Sequence, residues 1–140
     1  RMAIGSITAM NETIDWDKRK QTWCGLVAEL MREIKTWAGE EGWLVQERQK
    51  QITEEHLGTY SVPELTIKTP GGYVVAEPVG RNIVGADGRI DIVSFPSLNR
   101  ILLVRAHDQW HLKTESRVVW PKSWSRDAFV ELTNNLASIT

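Results

Sequence analysis

Gly88-Arg-Ile-Asp-Ile-Val-Ser-Phe95, then a Pro96-Ser-Leu-Asn99 turn, then Arg100-Ile-Leu-Leu-Val-Arg-Ala-His107 decide the fold. Both runs are apolar and rich in β-branched residues, and turn formers bound them, so they read as neighbouring strands. Past Arg100 at the head of the second run, they carry an acid and two bases, Asp91, Arg89 and Arg105, where a plain core would carry none. Residues 100–106 are the most apolar run and are expected near the centre of the sheet.

Working outward, Asp87-Gly88 is the strongest hairpin signal in the chain. Before it, a meander is expected. Residues 43–52 start as a strand and turn polar, with Arg48 and Lys50 protecting an edge. Residues 60–69 form a strand with Pro63 near its start, which suggests an edge or an entry. Thr69-Pro-Gly-Gly72 is a tight turn. Residues 73–76 continue as a strand, Pro78 interrupts it, and residues 79–84 resume. After the apolar strand, a loop of residues 107–109 sets Ala106 against Trp110 and Val104 against Leu112. That register places Arg105 opposite His111.

Two helices bracket the meander. Trp23, Leu26, Val27, Leu30, Ile34 and Trp37 recur at three- and four-residue steps over residues 16–38. Asp15 or Asp17 caps the start, and Gly39 and Gly42 end it. Near the other end of the chain, Ser125 caps a helix with Phe129, Leu132 and Leu136 at helical spacing. The expected fold class is α+β: a twisted antiparallel sheet of five or six strands with both helices on one face.

The chain has 140 residues and fits one domain, spanning residues 10–140. Residues 1–9 read as a leftover segment ahead of Met10. A net charge of -1 gives no global drive toward nucleic acid or anionic membrane. The single cysteine, Cys24, excludes an internal disulfide and points to the reducing cytosol. No apolar run approaches the ~20 residues that span a bilayer. Seven tryptophans stand out. Trp23, Trp37, Trp43, Trp110 and Trp120 are expected to fill a thin core. Trp120 and Trp124, beside Pro121, alternatively form a contact surface.

Gly88-Arg-Ile-Asp91 followed by Ile101-Leu-Leu-Val104 resembles the paired strands of the PD-(D/E)xK nuclease superfamily. The resemblance implies Asp91 as the first Mg²⁺ carboxylate. Arg105-Ala-His107 stands where acid-x-lysine is required, and arginine cannot ligate Mg²⁺. His107 and His111 have a zinc spacing only if a helix carries them. No nucleophile motif is present, and Cys24 reads as a small core residue.

What remains is a polar constellation of Glu77, Arg81, Arg89, Asp91, Arg105, His111 and Lys113. Arginine there can hold a carboxylate or phosphate through two hydrogen bonds. The sequence therefore reads as a non-enzymatic protein-binding or regulatory module without a cofactor. Its partner is a protein or a second copy of the chain in a homodimer, with contacts through Arg81, Arg89, Asp91, Arg105, His111, Trp120 and Trp124. Nucleic acid is disfavoured because aromatics are not interleaved with the bases. The alternatives are a nuclease relative around Asp91 and Glu77, and a tryptophan-lined small-ligand pocket between helix and sheet.

Overall fold

A computed structural model describes residues 14–113 and 123–138. Helix α1 (Trp16–Glu40) is followed by six strands: β1 (Leu44–Glu54), β2 (Gly58–Thr69), β3 (Gly72–Gly80), β4 (Arg89–Phe95), β5 (Arg100–Ala106) and β6 (Gln109–Lys113). Helix α2 (Arg126–Ser138) completes the described chain. The strands form one antiparallel sheet in the order β1 to β6, so each strand pairs with its sequence neighbours. The α+β class, the meander and the two helices expected from sequence are all present. Trp120 and residues 1–9 lie outside the described residues.

Asp15 caps α1 as expected. Its carboxylate accepts from the Lys18 amide at 3.0 Å, and Asp17 sits inside the first turn. The helix runs through Gly39 and stops at Glu41. Trp43 N–H then donates to Ala38 O at 2.9 Å, with Gly42 at φ 79°. Only a residue without Cβ takes that left-handed turn at little cost. Trp23, Val27, Leu30, Met31, Ile34 and Ala38 form the buried stripe, whereas Leu26 and Trp37 are half-buried at its margins.

Helix α1 lies on β1 and β2, α2 lies on β3 and β4, and the two helices touch. Their shared core takes Leu65 and Ile67 of β2, Ile90 and Ile92 of β4, Leu103 of β5, and Phe129 and Leu132 of α2. Ser125 caps α2, its hydroxyl accepting from Ala128 N at 3.2 Å. Arg126 then donates to Glu40 at 2.7 Å and Glu41 at 2.8 Å, tying the start of α2 to the end of α1.

Several local expectations are corrected. Strand β2 is an inner strand, not an edge. Its ladder to β3 begins only at Leu65, however, so Pro63 faces a partner only in β1, opposite Gln49. Pro78 does not interrupt β3. It lies in the strand opposite Ile90, beyond the end of the β2–β3 ladder at Ala76 and beside a register shift at Gly80. Both prolines thus avoid positions where a missing N–H would break a ladder shared on both sides. The strand does not run on to residue 84. The chain leaves the sheet after Gly80 and returns at Arg89, with only an isolated Ile83–Ala86 bridge between.

The last hairpin is one residue out of the expected register. Its turn has two residues, His107 (φ 52°) and Asp108 (φ 61°), rather than three. Two successive left-handed residues give the tight turn whose twist suits a β-hairpin. Arg105 therefore faces Trp110, not His111, and His111 faces Val104.

Candidate functional site

The expected constellation divides over the two faces of the sheet, because side chains alternate along every strand. Arg89, Asp91, Glu77, His111 and Lys113 lie on the face away from the helices. Register joins them: Glu77 is opposite Asp91, Arg89 opposite Val104, and Lys113 opposite Leu102. Arg105 points to the helix side, and Arg81 belongs to the 81–88 loop.

On the open face the acids are matched one by one. Asp91 is 2% exposed. Arg89 clasps it with Nε at 2.7 Å and Nη2 at 2.9 Å, and Arg100 donates to its Oδ2 from the next strand. Glu64 is buried and accepts from Arg48 at 2.7 Å. Glu77 would repel Asp91 across the ladder, but Lys50 reaches it at 2.8 Å and also binds Pro78 O at 2.9 Å. His111 shares a hydrogen bond of 3.0 Å with Ala106 O, closing the hairpin. A depression of about 470 Å³ remains on this face, floored by Val75 and Val93.

The nuclease-like pair of strands is present, but Asp91 and Arg105 project from opposite faces. Both oxygens of Asp91 accept from arginine. Among the described residues, no three His, Cys, Asp or Glu side chains stand close enough to hold a metal ion. Cys24 is half-buried, and burial pushes its thiol up against the opposing pull of Lys20. Trp124 lies half-buried at the seam of the two helices, 5.5 Å from Trp37 and 6.0 Å from Phe129. It packs there with the core-facing aromatics.

On the helix side, Arg81 and Arg105 meet in a cleft of about 500 Å³. The start of α1 forms one wall, through Ile14, Asp15, Lys18, Arg19, Thr22 and Leu26. Arg81 and Asp87 of the 81–88 loop, with Arg105 at the end of β5 and Asp108 of the β5–β6 turn, form the other. Trp23 is the floor. Two arginines here are supported by indoles. Arg105 lies over Trp110 at 5.4 Å, and Arg19 over Trp16 at 5.2 Å. Trp16 also stacks with His56, their ring centroids 4.4 Å apart. Asp15 is committed to its cap and Asp87 to Arg81 at 3.3 Å. Lys18, Arg19 and Arg105 have no carboxylate partner among the described residues, and Asp108 is the acid left over. A guanidinium on a ring face keeps its N–H edge for a planar acceptor.

The loop that forms the second wall is fixed at both ends. At its start, the Glu54 carboxylate accepts from Arg81 N at 2.9 Å and Asn82 N at 2.7 Å. It sits directly over Gly80, where a Cβ would meet Glu54 Oε1 at 2.9 Å. At its end, Asp87 N–H donates to Arg105 O at 2.7 Å, and Arg105 N–H donates to Gly88 O at 2.9 Å. Gly88 rests on the Trp23 ring. Asp87-Gly88 is therefore not a hairpin turn but the place where the loop closes onto β5 and the core.

Floor and loop are wired together. Trp23 Nε1 donates to Tyr60 Oη at 3.1 Å, and Tyr60 donates to Glu54. Burial, and then the hydrogen bond to Glu54, push the Tyr60 phenol well above its ordinary value. The folded chain thus keeps this proton at pH values where an unfolded tyrosine, with a pKa of about 10, has lost it. Stability supplied by this group is complete below about pH 10 and falls as pH rises above it. Urea unfolding at a series of alkaline pH values is expected to show that decline. Tyr60→Phe should shift the whole curve down and flatten its alkaline limb. An unchanged limb in the variant would assign the decline to other groups.

Lys18 and Arg19 were absent from the sequence-derived set. The signal was available for Arg19, which stands one helical turn after Trp16. Arg100 was missed too, because its reach to Asp91 depends on the β4–β5 register. No family model, curated protein or solved structure matches this chain. The fold is a small α+β one with an open antiparallel meander, and the cleft beside α1 is lined by Lys18, Arg19, Arg81 and Arg105 together with Asp15, Asp87 and Asp108. No helix among the described residues is long and apolar enough to cross a membrane.

Proposed function

We propose that the chain is a non-enzymatic binding module that holds an acidic segment of a protein partner in the cleft between α1, the 81–88 loop and the β5–β6 turn. One observation carries the reading: Arg19 and Arg105 lie on the faces of Trp16 and Trp110, with no carboxylate partner among the described residues. Side chains already held by aromatic rings lose little freedom on binding. Each can donate two charge-assisted hydrogen bonds to a carboxylate. On the open face of the sheet, by contrast, the carboxylates of Glu64, Glu77 and Asp91 are already met by basic side chains.

The test is fluorescence anisotropy with labelled hexaglutamate at low salt. Saturable binding that weakens as salt rises is expected. Arg105→Ala should weaken it about tenfold or more, one hydrogen bond to a charged group being worth about 1.5 kcal/mol at the low end. Lys68→Ala, at the far end of the sheet, should leave it unchanged. Absence of saturable binding, or equal losses in the two variants, would remove the cleft from consideration. The cleft volume also lies within the range of about 300–1,000 Å³ typical of small-molecule sites. A small anionic ligand is therefore the second reading, favoured if a dicarboxylate competes with the peptide at micromolar concentration.

A further inference from the structure

We infer that the segment taken by the cleft alternates carboxylates with apolar side chains; this rests on the reading just given and names its partner more closely. The cations stand on both walls, Lys18 and Arg19 on the helix and Arg81 and Arg105 opposite. Between them the lining is Ile14, Leu26 and the Trp23 floor. Ile14 immediately precedes the Asp15 cap and is 41% exposed. An apolar residue at that position ordinarily packs against an apolar side chain in the first turn of the helix. Here the corresponding position holds Arg19, so Ile14 lacks that partner and lines the cleft instead.

A purely acidic segment would satisfy the cations and leave Ile14 and Leu26 wet. In an extended segment, successive side chains point to opposite sides. Alternation therefore sends apolar groups inward and keeps the carboxylates near the rim. Burying one leucine-sized side chain is worth about a tenfold gain in affinity. The partner this fits is a protein segment of mixed acidic and apolar character, rather than a polyanion of any kind.

Four labelled peptides test this by anisotropy: hexaglutamate, (Glu-Leu)3, (Gln-Leu)3 and (Lys-Leu)3. The Glu-Leu peptide is expected to bind about tenfold tighter than hexaglutamate, and the Gln-Leu and Lys-Leu peptides more weakly than either. Ile14→Ser changes an exposed side chain outside the helix. It should reduce the Glu-Leu preference over hexaglutamate to less than about threefold. Equal affinity for the two acidic peptides would overturn the inference and leave the cationic cleft standing. Equal affinity for the Gln-Leu and Glu-Leu peptides would overturn it in favour of a purely apolar contact. Failure of all four to bind would remove the cleft reading itself.

Discussion

Gly88→Ala is expected to lower stability by about 3 kcal/mol or more, through overpacking added to backbone strain. A Cβ at this position would stand 2.1 Å from Trp23 Cζ3 and 2.6 Å from two further atoms of the same ring, at a backbone φ of 148°. Trp23 cannot retreat, because Val27 and Tyr60 pack in the same buried cluster and its Nε1 is held by Tyr60. The indole, the loop and β5 would have to shift together. Gly85→Ala supplies the control. Gly85 also has a positive φ, 77°, but a Cβ there meets nothing within 4 Å. Its cost should be only the left-handed penalty of about 1 kcal/mol. Urea midpoints measure both. Equal destabilisation of the two variants would mean that Gly88 matters for its dihedral angles and not for the contact with Trp23.

Asp91→Ala is the second large effect, again about 3 kcal/mol. The carboxylate is buried, while Arg89 and Arg100 are each about one-third exposed. Removing the acid leaves two guanidinium groups facing each other across β4 and β5 with the charge between them gone. Asp91→Asn should recover little, since its amide offers one acceptor oxygen and turns a donor toward the arginines. A loss below about 1 kcal/mol for the alanine variant would reduce this cluster to solvated surface charge. A large loss, read as stability without added metal, would assign Asp91 a structural role.

Periodicity made the elements legible. Trp23 to Trp37 at helical steps, and the apolar runs of β4 and β5, have one geometric solution each. Legibility failed where tertiary contact overrode local pattern. Arg105 reads as an outward residue, and the expected register treated it so. In the fold it lies on the helix side because alternation puts it on the same face as the core residues Ile101 and Leu103, and the two-residue turn then sets Trp110 opposite it. Asp87-Gly88 reads as a hairpin, yet the glycine is needed for close approach to an indole distant in sequence. The candidate site was visible as a set of residue types but not as a place. Alternation sent Arg89 and Asp91 to one face and Arg105 to the other, and no spacing rule assigns a face until every register is known. Lys18 and Arg19 looked like ordinary solvated helix residues until the 81–88 loop and the β5–β6 turn were set opposite them.

The order of the strands has a consequence for how the chain comes off the ribosome. Because each strand pairs only with its sequence neighbours, every new hairpin can close as soon as its second strand emerges, over a short loop with little entropy to lose. The long first helix must wait with its apolar stripe uncovered until β1 and β2 arrive. The cleft is finished late, since its far wall needs β5 and the turn after it. The cleft is therefore complete only once β5 and the turn after it have emerged, when most of the sheet that supports it is already in place.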